Sequence, residues 1–245
     1  MFEPPSKPLA AGCFKARPGP RPRLVSLNPG ATSIVIALGA EENLVGVDKF
    51  SQRPRGAEVV GDLVSPDLEK IKALEPDFVV IFTPAQEHLK PQLEALGLKW
   101  VDVSPRGPGG LLEAVLQLGE ILGVEERARR LADSLREELR ALKPAPAKRT
   151  FLELSENPIY TAGRGTWPDS LLLLAGGVNI FSEREGYFTV QEEEVMRRRP
   201  DLVIVLHPGP GRNWPFKRVK VNEDLVLQPG VKFIEGILSL QRALR

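Results

Sequence analysis

Two histidines, His88 and His207, and one cysteine, Cys13, are the whole supply of imidazole and thiol in 245 residues. A zinc or manganese centre built from side chains usually needs more nitrogen and sulfur ligands than that, and an internal disulfide needs a second cysteine. Metal is therefore expected only as part of a bound ligand. His207 follows the apolar run ending at Leu206 and opens the loop His207-Pro208-Gly209-Pro210-Gly211, which makes it a candidate axial ligand to such a metal. A solvated loop histidine fits the same pattern. The phosphate loop GxxxxGK[ST], GxGxxG after the first strand, the GxSxG elbow and HExxH are all absent, and Gly163-Arg164-Gly165 is a lone GxG. The expectation is binding without turnover. Aromatic residues make up only 6%, yet Phe50, Phe82, Tyr160, Tyr187 and Trp214 fall where strands end and loops begin. In open α/β sheets those loops border the ligand crevice, where rings form an apolar slot for a flat ligand held by burial and stacking. Ordinary packing accounts for each ring singly just as well.

Two α/β units position these residues. Leu24-Val25-Ser26-Leu27 predicts a buried strand ending in a turn at Asn28-Pro29-Gly30, followed by a helix capped by Thr32 or Ser33 and stopped at Gly39. Strands follow at Leu44–Val47, Phe78–Phe82 and Trp100–Val103, with helices at Leu68–Leu74 and Pro91–Leu96 between them. The strand at Phe78 is apolar on both faces, as in a covered parallel sheet. From Leu111 to Lys143 two helical stretches flank Gly123, and the second carries a narrow apolar stripe at Ala128, Leu131, Ala132, Leu135, Leu139 and Leu142. Pro144 and Pro146 end it, and a second βα succession begins at Thr150, so this helix is expected to be a strut between lobes. The reading divides the chain into an extended arm (1–22, with six prolines), an N-terminal lobe (23–108), a helical segment (109–147) and a C-terminal lobe (148–245).

The two units repeat each other. Glu69 lies seven residues before Pro76-Asp77 and the strand Phe78-Val79-Val80-Ile81; Glu193 lies seven before Pro200-Asp201 and Leu202-Val203-Ile204-Val205. Likewise Ser33 precedes Gly39-Ala40 by six residues, and Ser170 precedes Gly176-Gly177 by six. A duplication would present Glu69 and Glu193 at equivalent places on two lobes; both also suit helix N-termini. The run Arg197-Arg198-Arg199 is expected to cap a helix C-terminus. With 33 Lys+Arg against 32 Asp+Glu, net charge +1, nothing marks a nucleic-acid partner, and no run of 18 apolar residues predicts a membrane span.

Arg23-Leu24-Val25-Ser26-Leu27-Asn28-Pro29, Ala37-Leu38-Gly39, Val45-Gly46-Val47 and Leu68-Glu69 through Pro76-Asp77-Phe78-Val79 resemble the first lobe of class III substrate-binding proteins of ABC importers. Asn157-Pro158-x-Tyr160-Thr161-x-Gly163, Gly176-Gly177-x-Asn179-Ile180-Phe181 and Pro200-Asp201-Leu202-Val203 resemble the second, and the cobalamin-binding branch is the most similar. The resemblance implies two pseudo-symmetric Rossmann-like lobes with mostly parallel sheets, joined by one long rigid helix, and a ligand between them. It implies cobalamin as ligand, a permease dimer as partner, a monomeric chain, and Glu69 and Glu193 as carboxylates that dock on permease arginines. Phe50, Phe82, Tyr160 and Tyr187 match positions where cobalamin binders place rings, Asp224 lies near a polar contact before the last helix, and Leu63 replaces a common tryptophan. Arg53 stands where iron-porphyrin binders often place a tyrosine before the loop proline, here Pro54, which tilts away from heme; ferric siderophores remain open. A periplasmic or envelope location is implied, with Leu9-Ala10-Ala11-Gly12-Cys13 as a candidate lipid-attachment site. The first 22 residues lack the apolar h-region of a secretory signal, so a cytosolic corrinoid carrier or sensor is the alternative of another class.

Overall fold

The computed structural model describes residues 21–83 and 85–245; Cys13 and most of the proline-rich arm lie outside them. The first lobe contains β1 (Leu24–Ser26), α1 (Pro29–Ala37), β2 (Leu44–Val47), β3 (Glu58–Val59), α2 (Leu68–Ala73), β4 (Phe78–Ile81), α3 (Lys90–Ala95) and β5 (Trp100–Asp102). Its five strands form one parallel sheet in the order β3-β2-β1-β4-β5. Two helices follow, α4 (Pro108–Leu122) and α5 (Glu125–Ala141). The second lobe runs through β6 (Lys148–Glu153), β7 (Ser155–Glu156), β8 (Ile159–Ala162), α6 (Trp167–Ala175), β9 (Gly177–Asn179), β10 (Tyr187–Thr189), α7 (Glu192–Arg198), β11 (Leu202–Val205), β12 (Lys217–Lys220), α8 (Glu223–Leu227) and α9 (Phe233–Leu244). Its parallel sheet has the order β12-β11-β6-β9, and β10-β8-β7 form a small antiparallel sheet beside it.

α1 begins earlier than its sequence suggests. Asn28 is the N-cap, its side-chain oxygen accepting the Ala31 amide at 3.0 Å, and Pro29 sits in the first turn, where its missing N–H costs nothing. Thr32 and Ser33 are therefore inside the helix. Thr32 Oγ1 donates to Ser26 Oγ at 2.9 Å and Ser33 Oγ donates to the Gly30 carbonyl at 2.7 Å, so neither is free to cap. Gly39 does end the helix, at φ +62°.

The internal repeat extends to backbone detail. Asp77 and Arg23 exchange two hydrogen bonds, Arg23 N–H to Asp77 Oδ2 at 2.8 Å and Asp77 N–H to Arg23 O at 2.8 Å. Asp201 and Arg149 do the same at 2.9 and 2.8 Å. The residues before the two prolines, Glu75 (φ 45°) and Arg199 (φ 47°), are the non-glycine residues with positive φ among those described. Arg197 and Arg198 lie in the last turn of α7, and Arg198 pairs with Glu183 and Glu194 at 2.5 and 3.0 Å.

α5 joins the lobes. At its start Arg127 donates to the Leu38 and Gly39 carbonyls at the end of α1, at 2.9 and 2.8 Å; just past its end the Lys143 carbonyl accepts from Gln241 of α9 at 3.1 Å. Seventeen residues at about 1.5 Å each make a strut of about 25 Å. Gly119 lets α4 lie against α5, because a Cβ there would fall 2.2 Å from that of Ala128. A single buried apolar cluster runs from Leu24 and Ile34 through Leu111, Val115 and Ala128 to Leu171, Phe233 and Leu240, so the lobes share a core as well as a covalent link.

Candidate functional site

The cleft between the lobes holds two adjoining compartments. The larger, about 910 Å³, is lined from the first lobe by Phe82, Thr83, Glu87, Asp102 and Ser104 to Arg106, and from the second by Arg164 to Trp167 and Glu185 to Tyr187. The smaller, about 320 Å³, lies among Asn28, Pro29, Phe50, Leu63, Phe82, Gln86 and Leu227 to Pro229. Phe82 borders both. On the first-lobe side these residues follow the C-terminal ends of β1, β2, β4 and β5, where an open parallel sheet presents its crevice.

Local hydrogen bonds set the rings. Phe50 is 57% exposed at the tip of a turn whose anchor, the buried Asp48, accepts from the Phe50 amide at 2.8 Å and from the Ser51 hydroxyl. Burial pushes the Asp48 carboxyl above its ordinary range, and those hydrogen bonds partly offset the rise. Phe82 is half-buried, its amide donating to Gln86 Oε1 at 2.7 Å, while Gln86 Nε2 donates to the Leu27 and Leu63 carbonyls at 2.8 and 2.7 Å. The buried Gln86 thus braces Phe82 and Leu63 from one position.

Across the cleft Tyr187 stacks on Tyr160, with centroids 6.3 Å apart and planes at 13°. The two are diagonal neighbours on the antiparallel strands β10 and β8, Tyr187 lying opposite Ala162 and Tyr160 opposite Thr189. Tyr187 is 42% exposed as a residue, while its hydroxyl is enclosed and bonded to the Trp167 backbone. That enclosure, with the Tyr160 hydroxyl beside it, holds its pKa up at about 12.

Trp214, His207 and Asp224 do not join these rings. The carboxylate of Glu153, fully buried at the end of β6, accepts from His207 Nε2 at 2.9 Å, from the Arg212 amide at 3.1 Å and from the Trp214 indole N–H. A buried carboxylate without donors is costly, and this one draws the loop after β11 inward. Trp214 consequently packs edge-on against Phe151, at 5.6 Å, between the parallel and antiparallel sheets. His207 is buried against Glu153 rather than presented to a ligand metal. Asp224 is exposed in the first turn of α8 and accepts from Gln228 at 2.7 Å, so it reaches the smaller compartment only through that residue. Arg53 is likewise exposed, with Nε on the Ala57 carbonyl at 2.7 Å. Gln86, Arg106 and the Thr83–Asp102–Ser104 group carry no sequence signal of their own, although Ser104 and Arg106 follow a predicted strand end.

Glu69 and Glu193 are the second residues of α2 and α7, exposed on both lobes, and their side chains have no ion pair or hydrogen bond among the described residues. Their neighbours differ: Glu192 pairs with Arg212, and Glu194 with Arg198 and Arg184.

A family model described as periplasmic binding protein matches residues 24–234. The chain belongs to the periplasmic binding protein family. Among its relatives, the vitamin B12-binding protein of Vibrio cholerae serotype O1 is 32% identical over 227 residues, 86% of this chain and 82% of the relative. The crystal structure of the periplasmic vitamin B12 binding protein BtuF of Vibrio cholerae superposes with a TM-score of 0.78 at 26% identity, covering 92% of this chain and 97% of that one. The periplasmic heme binding protein HutB of Vibrio cholerae shares the fold, with a TM-score of 0.74 at 24% identity over 91% and 98% of the two chains. As a member of the periplasmic binding protein family, the chain has the two-lobed α/β architecture with the cleft described above.

Proposed function

We propose that this protein is the substrate-binding component of an ABC importer, capturing cobalamin or a related corrinoid in the interlobe cleft and releasing it unchanged to a permease dimer. The carrying observation is the set of rings lining the two compartments of about 320 and 910 Å³, Phe50 and Phe82 on one lobe and Tyr187 on the other, with Tyr160 stacked on Tyr187. Such rings suit a flat macrocycle bound by burial of its faces. The relative named a vitamin B12-binding protein supports the choice of ligand. Glu69 and Glu193 are proposed as the docking carboxylates, one on each lobe, because both are exposed in equivalent first turns and unpaired among the described residues. Paired carboxylates on one body fix orientation as well as attraction. The proposal takes residues 23–108 and 148–245 as the lobes and 109–147 as their helical connection, acting as a monomer in the periplasm or cell envelope. Lipid attachment at Cys13 belongs to the same proposal.

Equilibrium dialysis of the purified protein against cyanocobalamin, with hemin in a parallel cell, tests the reading. Stoichiometric retention of cyanocobalamin is expected. Retention of hemin alone, or of neither, would remove the corrinoid while leaving the binding fold.

A further inference from the structure

Five charged side chains line the larger compartment: Glu87, Asp102, Arg106, Arg164 and Glu185. Four of them have partners of opposite charge. Lys90 lies 2.8 Å from Glu87 and 3.6 Å from Asp102, and Asp102 also accepts from the hydroxyls of Thr83 and Ser104. Arg164 and Glu185 pair across the second-lobe wall at 2.5 Å. The guanidinium of Arg106 has neither a carboxylate nor a hydrogen-bond partner among the described residues. Its backbone is nevertheless tied down: the Arg106 carbonyl accepts from Ser170 Oγ of α6 at 3.0 Å, and Pro105 and Pro108 flank the segment. The backbone of this exposed arginine is thus fixed where the first lobe crosses to the second, at the border of the compartment that Phe82 and Tyr187 line.

A guanidinium presents a planar fork of donors that matches the oxygens of a phosphate or carboxylate. Once a ligand displaces water from the cleft, such a pairing is screened less than in solvent. The amide substituents of a corrin are neutral, and the phosphodiester of its nucleotide tail is the anion that a complete cobalamin offers. We propose that Arg106 is a specificity-determining contact for an anionic substituent of the bound macrocycle, in a corrinoid the nucleotide-tail phosphodiester. The inference rests on the corrinoid reading above and adds to it a preference for complete cobalamins over corrinoids that lack the tail.

The test compares the intact protein with Arg106→Gln and Arg106→Lys, by dialysis against cyanocobalamin, dicyanocobinamide, which lacks the phosphodiester, and hemin, whose anions are carboxylates. Arg106→Gln should weaken cyanocobalamin about tenfold, a typical loss for one charge-assisted contact, and leave dicyanocobinamide within about twofold. Arg106→Lys should recover part of the loss. Unchanged cobinamide binding also shows that the variant is folded. Equal losses for both corrinoids, or no loss for either, would overturn the role of Arg106 while the corrinoid reading stands. Retention of hemin but of neither corrinoid by the unsubstituted protein would overturn both.

Discussion

Ser33 and Ser170 occupy equivalent positions in the two lobes, and each reaches across to the other. Ser33 Oγ in α1 accepts from the Val231 amide at 3.4 Å, and Ser170 Oγ in α6 donates to the Arg106 carbonyl at 3.0 Å. Each also faces a glycine of the crossing segment: a Cβ on Gly230 would fall 2.6 Å from Ser33 Oγ, and one on Gly107 would fall 3.3 Å from Ser170 Oγ. The repeat therefore builds a two-fold pair of crossings at the cleft floor, which with α5 and the shared core opposes wide movement of the lobes.

That floor should be intolerant of added bulk. A Cβ on Gly30 would lie 1.9 Å from the Pro229 carbonyl oxygen, so Gly30→Ala must push the second-lobe segment away. It should cost about 1–3 kcal/mol in urea unfolding, the usual penalty for overpacking. Gly109→Ala in the first turn of α4 meets nothing within 4 Å and should be neutral or stabilising by up to about 1 kcal/mol. Equal effects would mean that the crossing is not tightly packed.

Phe82 and Trp214 should separate binding from stability. Phe82→Ala removes the ring shared by both compartments and should weaken cyanocobalamin binding about tenfold to a hundredfold. Trp214→Phe removes one donor from the buried Glu153 and should cost about 1–3 kcal/mol of stability with affinity retained. Dialysis and urea titration of both variants decide this, and a large loss of affinity in Trp214→Phe would place that ring in the site.

Replacing both proposed docking carboxylates, Glu69→Ala with Glu193→Ala, should abolish stimulation of the permease in reconstituted vesicles and leave corrinoid affinity unchanged. Each single variant should retain part of the activity. Full uptake by the double variant would refute the docking role.

Tyr187 predicts an alkaline dependence. In the unfolded chain its hydroxyl ionises near 10.0, whereas enclosure in the folded protein holds it protonated to about 12. The folded state then binds more protons than the unfolded state across that window, so stability present below pH 10 falls as pH rises towards 12. Ligand binding should be insensitive to this group at neutral pH. In Tyr187→Phe the slope of unfolding free energy between those values should be smaller than in the parent.

Local pattern and repetition already determine much of this molecule. The apolar runs at Leu24, Leu44, Phe78 and Leu202 become the parallel strands, because a strand covered on both faces has no polar side to show. The spacing of Glu69 from Pro76 and of Glu193 from Pro200 anticipates matching first turns on two lobes, since helix and connection lengths are local properties. Phe50 and Phe82, each placed after a strand end, line the cleft compartments. Trp214 and His207, read from the same kind of position, instead lie buried outside both linings, because the destination of a loop depends on what lies beneath it. Here a buried carboxylate, Glu153, more than fifty residues away in sequence, takes both side chains as hydrogen-bond donors. The cap at Asn28 and the brace at Gln86 were hidden for a related reason: an ordinary amide becomes decisive only when folding brings orphaned backbone groups within its reach. Arg106 is the same case with the opposite outcome, since tertiary structure gives carboxylates to the other cation lining the compartment and to the neighbouring Lys90, and leaves this guanidinium without one among the described residues.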